Sequence, residues 1–472
     1  MKRSAWVAVV LFAIVAGLAW QRTQPGDRAS ISLLVTGGTV VTMDAAGTVV
    51  PDGAVAIDGT TIVAIGTAAD LDARYQARER IDARGQVIMP GLINTHTHAP
   101  MVLFRGLADD LALMDWLTQY IFPAEKATVS PEFVRVGTRL ALLEMIESGT
   151  TTYADMYYFE EEIAAVTKAA GVRGVLGQTI IRFPVADAAT PEEGLARSET
   201  FLTQWANDPL IVPAVAPHAP YTLTPETLKA ARALADKYRA PLLIHLAETR
   251  DEVGIIAGQF KLSPAMFLDS LGFWGGRSLA AHAVWVDEAD MKMLAARGVG
   301  LSHNPESNMK LASGTAPVTG WLSAGIPAGL GTDGAASNND LDMFEAVRTA
   351  ALLHKHATGD PRAMPARQAL ELATRRGAAA LGLGDRIGSL ETGKLADVIT
   401  VSMSSARQTP LFDPLSHLVY VTRGTDVRTT IVHGRVLMRQ GRVTSLNRSV
   451  VLQEAAAMAE KVRAAVSRKE GQ

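Results

Sequence analysis

His96-Thr97-His98 sets two imidazoles one residue apart. In an extended strand, whose side chains alternate with a period of two, both rings leave the same face and can chelate one cation. A third imidazole, His245, and a carboxylate, Asp333 in Gly331-Thr332-Asp333-Gly334, each follow an apolar, β-type run. Three His and one Asp suit a borderline divalent ion such as zinc. The 472 residues include no Cys, which excludes disulfides, thiolate zinc sites and Cys nucleophiles together. Any metal is therefore held by His and carboxylates.

Such donors are far apart in sequence, so a repeating scaffold must bring them together. Eight strand-like runs alternate with helical stretches, at 87–95, 149–155, 173–180, 210–216, 240–245, 278–282, 299–303 and 326–331. That alternation predicts an α/β fold, a (β/α)8 TIM-type barrel whose chemistry sits at the C-terminal ends of the strands. His96, His98, Asp155, His218, His245, His282, His303 and Asp333 all fall at or just beyond such an end. Before and after the barrel, short β-rich runs with Gly and Asp-Gly turns predict a small β-sandwich built from both chain ends. The expected division is a leader over 1–24, β-sandwich segments over 30–89 and 386–450, a barrel over 90–385 and a solvated C-terminal helix over 451–472.

With 48% hydrophobic residues and 20% charged, the chain has material for a large core, which excludes disorder, collagen and coiled coil. Its 45 Lys and Arg against 48 Asp and Glu leave a net charge of −3, so no basic field attracts nucleic acid. Lys2 and Arg3 precede an apolar run over residues 5–20 and then a polar linker containing Pro25-Gly26. This pattern predicts an export signal or membrane anchor, with contact to the membrane through that segment only. The expected location is periplasmic, tethered to the inner membrane or released by cleavage. A homo-oligomer is compatible with the barrel, but no interface is legible.

The order Pro90-Gly91-Leu92-Ile93-Asn94-Thr95-His96-Thr97-His98, His245-Leu246-Ala247-Glu248, His282 and Gly331-Thr332-Asp333 resembles the amidohydrolase superfamily. The resemblance extends to Gly393-Lys394-Leu395-Ala396-Asp397-Val398, where the chain returns to the β domain. It implies a metal-dependent hydrolase that attacks an amide-like or amidine-like carbon. Glu248, three residues after His245, can stand beside the metal without binding it and carry protons. His282 would orient the attacking oxygen, with Asp333 accepting a hydrogen bond from it. Relatives with two metals bridge them with a modified Lys near the end of strand four; residues 210–220 contain no Lys and offer His218, so one metal is expected.

Within that superfamily, Met101-Val102-Leu103-Phe104-Arg105-Gly106-Leu107-Ala108-Asp109-Asp110, Trp116-Leu117 and Ile121-Phe122-Pro123-Ala124-Glu125 resemble the 5-methylthioadenosine/S-adenosylhomocysteine deaminases. So do Pro217-His218-Ala219-Pro220-Tyr221 and His303-Asn304-Pro305-Glu306-Ser307-Asn308-Met309-Lys310-Leu311. The resemblance implies that Glu125 accepts hydrogen bonds from both ribose hydroxyls, a task a carboxylate can perform in parallel. It places His218 on the ribose side, and His303, with Ser307 and Asn308, near the base or sugar. Arg182 is either the partner of an amino-acid carboxylate tail or a surface residue. The implied reaction is deamination of an adenine nucleoside to an inosine-type product and ammonia. Competing readings are another aminohydrolase or chlorohydrolase of the same subgroup, acting on guanine, a triazine, a pyrimidine or an imidazolone, and a non-catalytic scaffold on the same fold.

Overall fold

The computed structural model describes residues 28–470. The leader read over residues 1–24 lies outside them; among the described residues no helix is long and apolar enough to cross a membrane.

Eight parallel strands form a nearly closed barrel: Leu92–Thr97, Thr150–Tyr157, Arg173–Ile180, Ile211–Pro217, Leu242–Leu246, Ser278–His282, Gly300–His303 and Ala328–Leu330. The second and third are buried along their whole length, as strands covered on both faces must be. Helix starts repeat one device, a capping hydroxyl followed by proline, at Ser130-Pro131, Thr190-Pro191, Thr224-Pro225 and Ser263-Pro264. The helices over 131–148 and 160–170 stop at left-handed glycines, Gly149 and Gly171, which turn the chain toward the next strand.

Side chains complete the barrel seam between its last and first strands. Asn94 donates from Nδ2 to Thr332 Oγ1 (2.7 Å) and accepts from the Thr332 backbone N–H at 3.1 Å. The Asp333 N–H donates to the His96 carbonyl at 2.9 Å. The same seam therefore sets Asp333 beside the His-x-His pair.

The chain ends build a separate sheet of nine strands. It is one continuously hydrogen-bonded sheet, where a sandwich of two sheets was expected. The long strand Ala29–Val41 supplies the continuity: it pairs along its length with Val49–Asp58, near its start with Tyr75–Asp82 and near its end with Gln86–Pro90, and it is bulged around Gly38. The sheet curls until Thr61 bridges Leu395, enclosing Leu33, Val35, Val55, Ile57, Val398 and Ile431. Alternate residues Val87, Met89, Ile399 and Val401 join the main core with the barrel.

Two further expectations are corrected. The first barrel strand does not begin at Val87: Gln86–Pro90 belongs to the terminal sheet, and the chain crosses into the barrel at Gly91. Only glycine fits there, because a Cβ would lie 2.1 Å from the Thr151 side chain. The C-terminal helix, Arg448–Glu470, is not solvated all round. Val451, Ala455, Met458 and Val462 recur at helical spacing and are buried, and the helix packs on the helices over 122–128 and 131–148.

A buried ion pair joins the two sheets. Arg173 donates from Nε and Nη2 to the two oxygens of Asp397, each at 3.2 Å, and from Nη1 to the Pro209 carbonyl. Removing one partner of such a pair leaves an uncompensated charge, at a cost of about 3–5 kcal/mol.

Candidate active site

The C-terminal ends of the barrel strands gather His96, His98, His245 and Asp333. Nε2 of His98 lies 3.3 Å from Nε2 of His245 and 3.3 Å from Asp333 Oδ1, and His96 Nε2 lies 3.5 Å from the same oxygen. For bonds of about 2.0–2.1 Å, the edge of a tetrahedron of ligands is about 3.3–3.4 Å, so these separations suit one zinc-sized ion. The tautomers agree. His98 Nδ1 donates to the Met156 carbonyl (2.6 Å) and His245 Nδ1 to the His218 carbonyl (2.7 Å), which leaves both Nε2 lone pairs facing inward. His96 Nε2 is buried with no hydrogen-bond partner, so its lone pair is available to a cation.

Electrostatics keeps these groups in their ligating forms. Burial, opposed by Asp333, pulls His96 down to about 4, and burial together with the surrounding imidazoles takes His245 well below its ordinary value. Both are neutral at pH 7. Burial alone would raise Asp333, but His96, His282 and His98 outweigh it and hold the carboxyl well below the usual range. Three donors support it: Gly334 N–H at 2.7 Å, Ser307 Oγ at 2.7 Å and Ser337 Oγ at 3.1 Å.

Glu248 is buried on the same cavity, with His282 Nε2 3.8 Å from its Oε2. Burial lifts its pKa, while His282 opposes the rise. His282 holds Nδ1 against Asn308 Oδ1 at 2.9 Å, and the carboxylates of Glu248 and Asp333 outweigh burial to raise its pKa. Its Nε2 is 3.9 Å from Asp333 Oδ2, too far for the direct hydrogen bond expected from the sequence. His282 and Asp333 both adopt left-handed φ, 71° and 64°, a strained conformation at the ends of their strands.

Glu125 and His218 also line this cavity, and the His218 ring centroid lies 4.8 Å from that of His245. Glu125 accepts from the Tyr157 hydroxyl at 2.7 Å, and burial pushes its pKa up to about 7. His218 places Nδ1 3.1 Å from Thr222 Oγ1, and burial pulls it down to about 3. Arg182 is exposed on an adjoining apolar cleft of about 740 Å3 that shares Glu125, Phe122 and Tyr221 with the inner cavity.

His303 stands apart from the cavity, which corrects its expected contact with base or sugar. It is fully buried, with Nε2 3.1 Å from His354 Nε2 and its ring against Trp321. Ser307 and Asn308 likewise reach Asp333 and His282, where the sequence suggested base or sugar.

Residues 87–437 match the amidohydrolase family, and 53–75 the imidazolonepropionase-like composite domain of bacteria. The chain belongs to the amidohydrolase family. Among the relatives of this amidohydrolase is the 5-methylthioadenosine/S-adenosylhomocysteine deaminase of Syntrophobacter fumaroxidans, 48% identical over 89% of this chain and 96% of its own. The 5′-deoxyadenosine deaminase of Methanosarcina mazei is 45% identical over 92% and 99%. A solved structure of an adenosine deaminase from Xanthomonas campestris with bound zinc superposes with a TM-score of 0.91 and 41% identity, covering 93% of this chain and all of that one.

Three residues of this amidohydrolase site carry no role in the sequence reading. Trp116 lines the cavity from a turn of π-helix, Trp116–Ile121, with its Nε1 buried and unpartnered. Tyr157 meets Glu125 from the end of the second barrel strand. Glu252 is buried behind Glu248; the only trace of it in the sequence is Thr249-Arg250-Asp251-Glu252, the pattern of a helix start.

Proposed function

We propose that this amidohydrolase deaminates an adenine nucleoside of the 5′-methylthioadenosine, S-adenosylhomocysteine or adenosine type to the inosine-type product and ammonia. The observation that carries this reading is the shared cavity, lined both by Glu248, a proton-carrying carboxylate beside the metal ligands, and by a second buried carboxylate, Glu125. Two buried acids on one cavity suit a ligand that carries both a hydrolysable amidine and a vicinal diol. The names of the relatives support the same substrate class. Arg182, at the outer cleft, suits the carboxylate of a longer 5′ substituent.

His96, His98, His245 and Asp333 would hold one divalent ion, zinc by the chemistry of the donor set. When bound, it supplies a Lewis acid that lowers the pKa of water toward neutrality. Glu248 would take a proton from the attacking water and deliver it to the ring nitrogen beside the amidine carbon. His282, set between the carboxylates of Glu248 and Asp333, orients the attacking oxygen. Addition of water and departure of the amino group as ammonia turn the C–NH2 carbon into C=O. Glu125 fixes the ribose through two parallel hydrogen bonds and His218 packs on the sugar side. In this division residues 90–385 are the catalytic unit, and 30–89 with 386–450 form its supporting sheet.

Adenosine, 5′-methylthioadenosine, S-adenosylhomocysteine, guanine and a triazine, compared by ammonia release, test the substrate class. Turnover of guanine or triazine above every nucleoside would overturn it. Glu125→Gln should raise KM for the nucleosides about 10- to 100-fold and leave a sugar-free base unaffected, since one acceptor of a charge-assisted pair is lost. In the wild type, KM for nucleosides should rise as pH falls through about 7, where Glu125 gains a proton and can no longer accept both bonds. The variant should be flat over that range.

The proposal extends to location: Lys2, Arg3 and the apolar run behind them support a barrel on the outer side of a bacterial inner membrane, tethered or released. Protease added to intact spheroplasts should digest the tethered enzyme; full protection, with activity only in the cytosol, would sink this topology.

A further inference from the structure

The fifth barrel strand ends at Leu246, so the next two backbone N–H groups, of Ala247 and Glu248, have no strand partner. Both residues are buried, and a buried N–H needs an acceptor to offset its lost contact with water. Glu252 supplies both acceptors: its Oε1 accepts from Ala247 N–H at 2.8 Å and its Oε2 from Glu248 N–H at 3.0 Å. The carbonyl side of the same turn is tied to the sixth strand's end, where Ala283 N–H donates to Leu246 and Trp285 N–H to Ala247. Ala247 itself is held at a φ of 45°, a conformation an L-residue adopts only when its surroundings impose it.

This is not the usual helix-start exchange. Thr249 caps the helix Arg250–Phe260 by accepting from Glu252 N–H at 3.3 Å, but the Glu252 carboxylate passes over the capping residue and reaches the two peptides before it. Glu252 is only 2% exposed, and among the described residues no Lys or Arg forms an ion pair with it. A buried acid with no cationic partner, spending both oxygens on the backbone of its neighbour, is costly for a helix cap that Thr249 already provides.

We infer that Glu252 is a positioning residue for the reaction: it clamps the backbone turn that aims the Glu248 carboxylate at the metal site and the substrate nitrogen. The inference rests on the reading of Glu248 as the proton carrier. Because the carboxylate touches neither ligand nor substrate, its loss should slow proton transfer without emptying the metal site or weakening nucleoside binding.

Glu252→Gln keeps the size of the side chain but sets an NH2 against one of the two N–H groups. It should lower kcat about 10- to 100-fold, with KM within about twofold and metal content stoichiometric. In a Glu248→Gln background the same change should cost less than about twofold, since a residue acting through Glu248 has nothing left to position. Thr249→Ala, which removes only the cap, should leave kcat within about threefold. Amide hydrogen exchange at Ala247 and Glu248 should speed up in Glu252→Gln and not in Thr249→Ala. That arm needs no turnover, so it reads the clamp even if the wild type releases ammonia from none of the nucleosides and the substrate reading fails. Unchanged kcat or unchanged exchange in Glu252→Gln, an equal loss of kcat in both backgrounds, a loss in Thr249→Ala matching it, or a Glu252→Gln protein that loses its metal or does not fold would each overturn the inference.

Discussion

Glu248→Gln is expected to keep its full complement of metal and lose turnover by about 10²- to 10⁴-fold, the range general acid–base catalysis supplies. The amide has the shape of the carboxylate, so no cavity opens and packing is preserved, but it cannot take a proton from water or pass one to a ring nitrogen. Glu248 stands outside the tight donor cluster. Its contact with His282 is 3.8 Å, against 3.3–3.5 Å among His96, His98, His245 and Asp333. Metal analysis beside kcat for 5′-methylthioadenosine decides the matter: loss of metal, or more than a tenth of wild-type turnover, would show that the carboxylate has another task.

Asp333→Ala should lose both metal and activity, and zinc added in excess should not restore them. The substitution removes the only charged ligand and leaves three imidazoles for a dication. It also leaves the buried Gly334 N–H without its acceptor and removes one acceptor from each of the Ser307 and Ser337 hydroxyls, so the variant should unfold at lower temperature as well. His245→Ala should lose metal too, with a smaller drop in unfolding temperature, because it strands fewer hydrogen bonds. A chelator should reproduce the loss of activity in the wild type, and zinc should reverse it. A stoichiometrically metallated, active Asp333→Ala would remove Asp333 from the ligand set.

These two experiments probe features that differ in how openly the chain displays them. The ligands are legible because they obey local rules. His96 and His98 share a strand face by the two-residue period, and His245 and Asp333 close β-type runs, where a barrel collects its chemistry. The apolar stripe Val451, Ala455, Met458 and Val462 is likewise written at helical spacing, although the surface it covers is not. The chain also announces one break in plain view, Pro90-Gly91, yet the reason for it is Thr151, sixty residues on, whose side chain leaves no room for a Cβ.

Contacts between distant segments settle the rest. His282 and His303 both end strands and look equivalent in sequence. A left-handed backbone turns the first into the cavity, while His354, on a helix 51 residues later, engages the second in the core. Glu252 looks like an ordinary capping acid until the preceding turn folds over it and presents two N–H groups. Side-chain period and strand-end position are properties of a segment alone, so residue order carries them. Which of two similar histidines meets the ligand depends on what else fills the space around each, and only the packed chain supplies that.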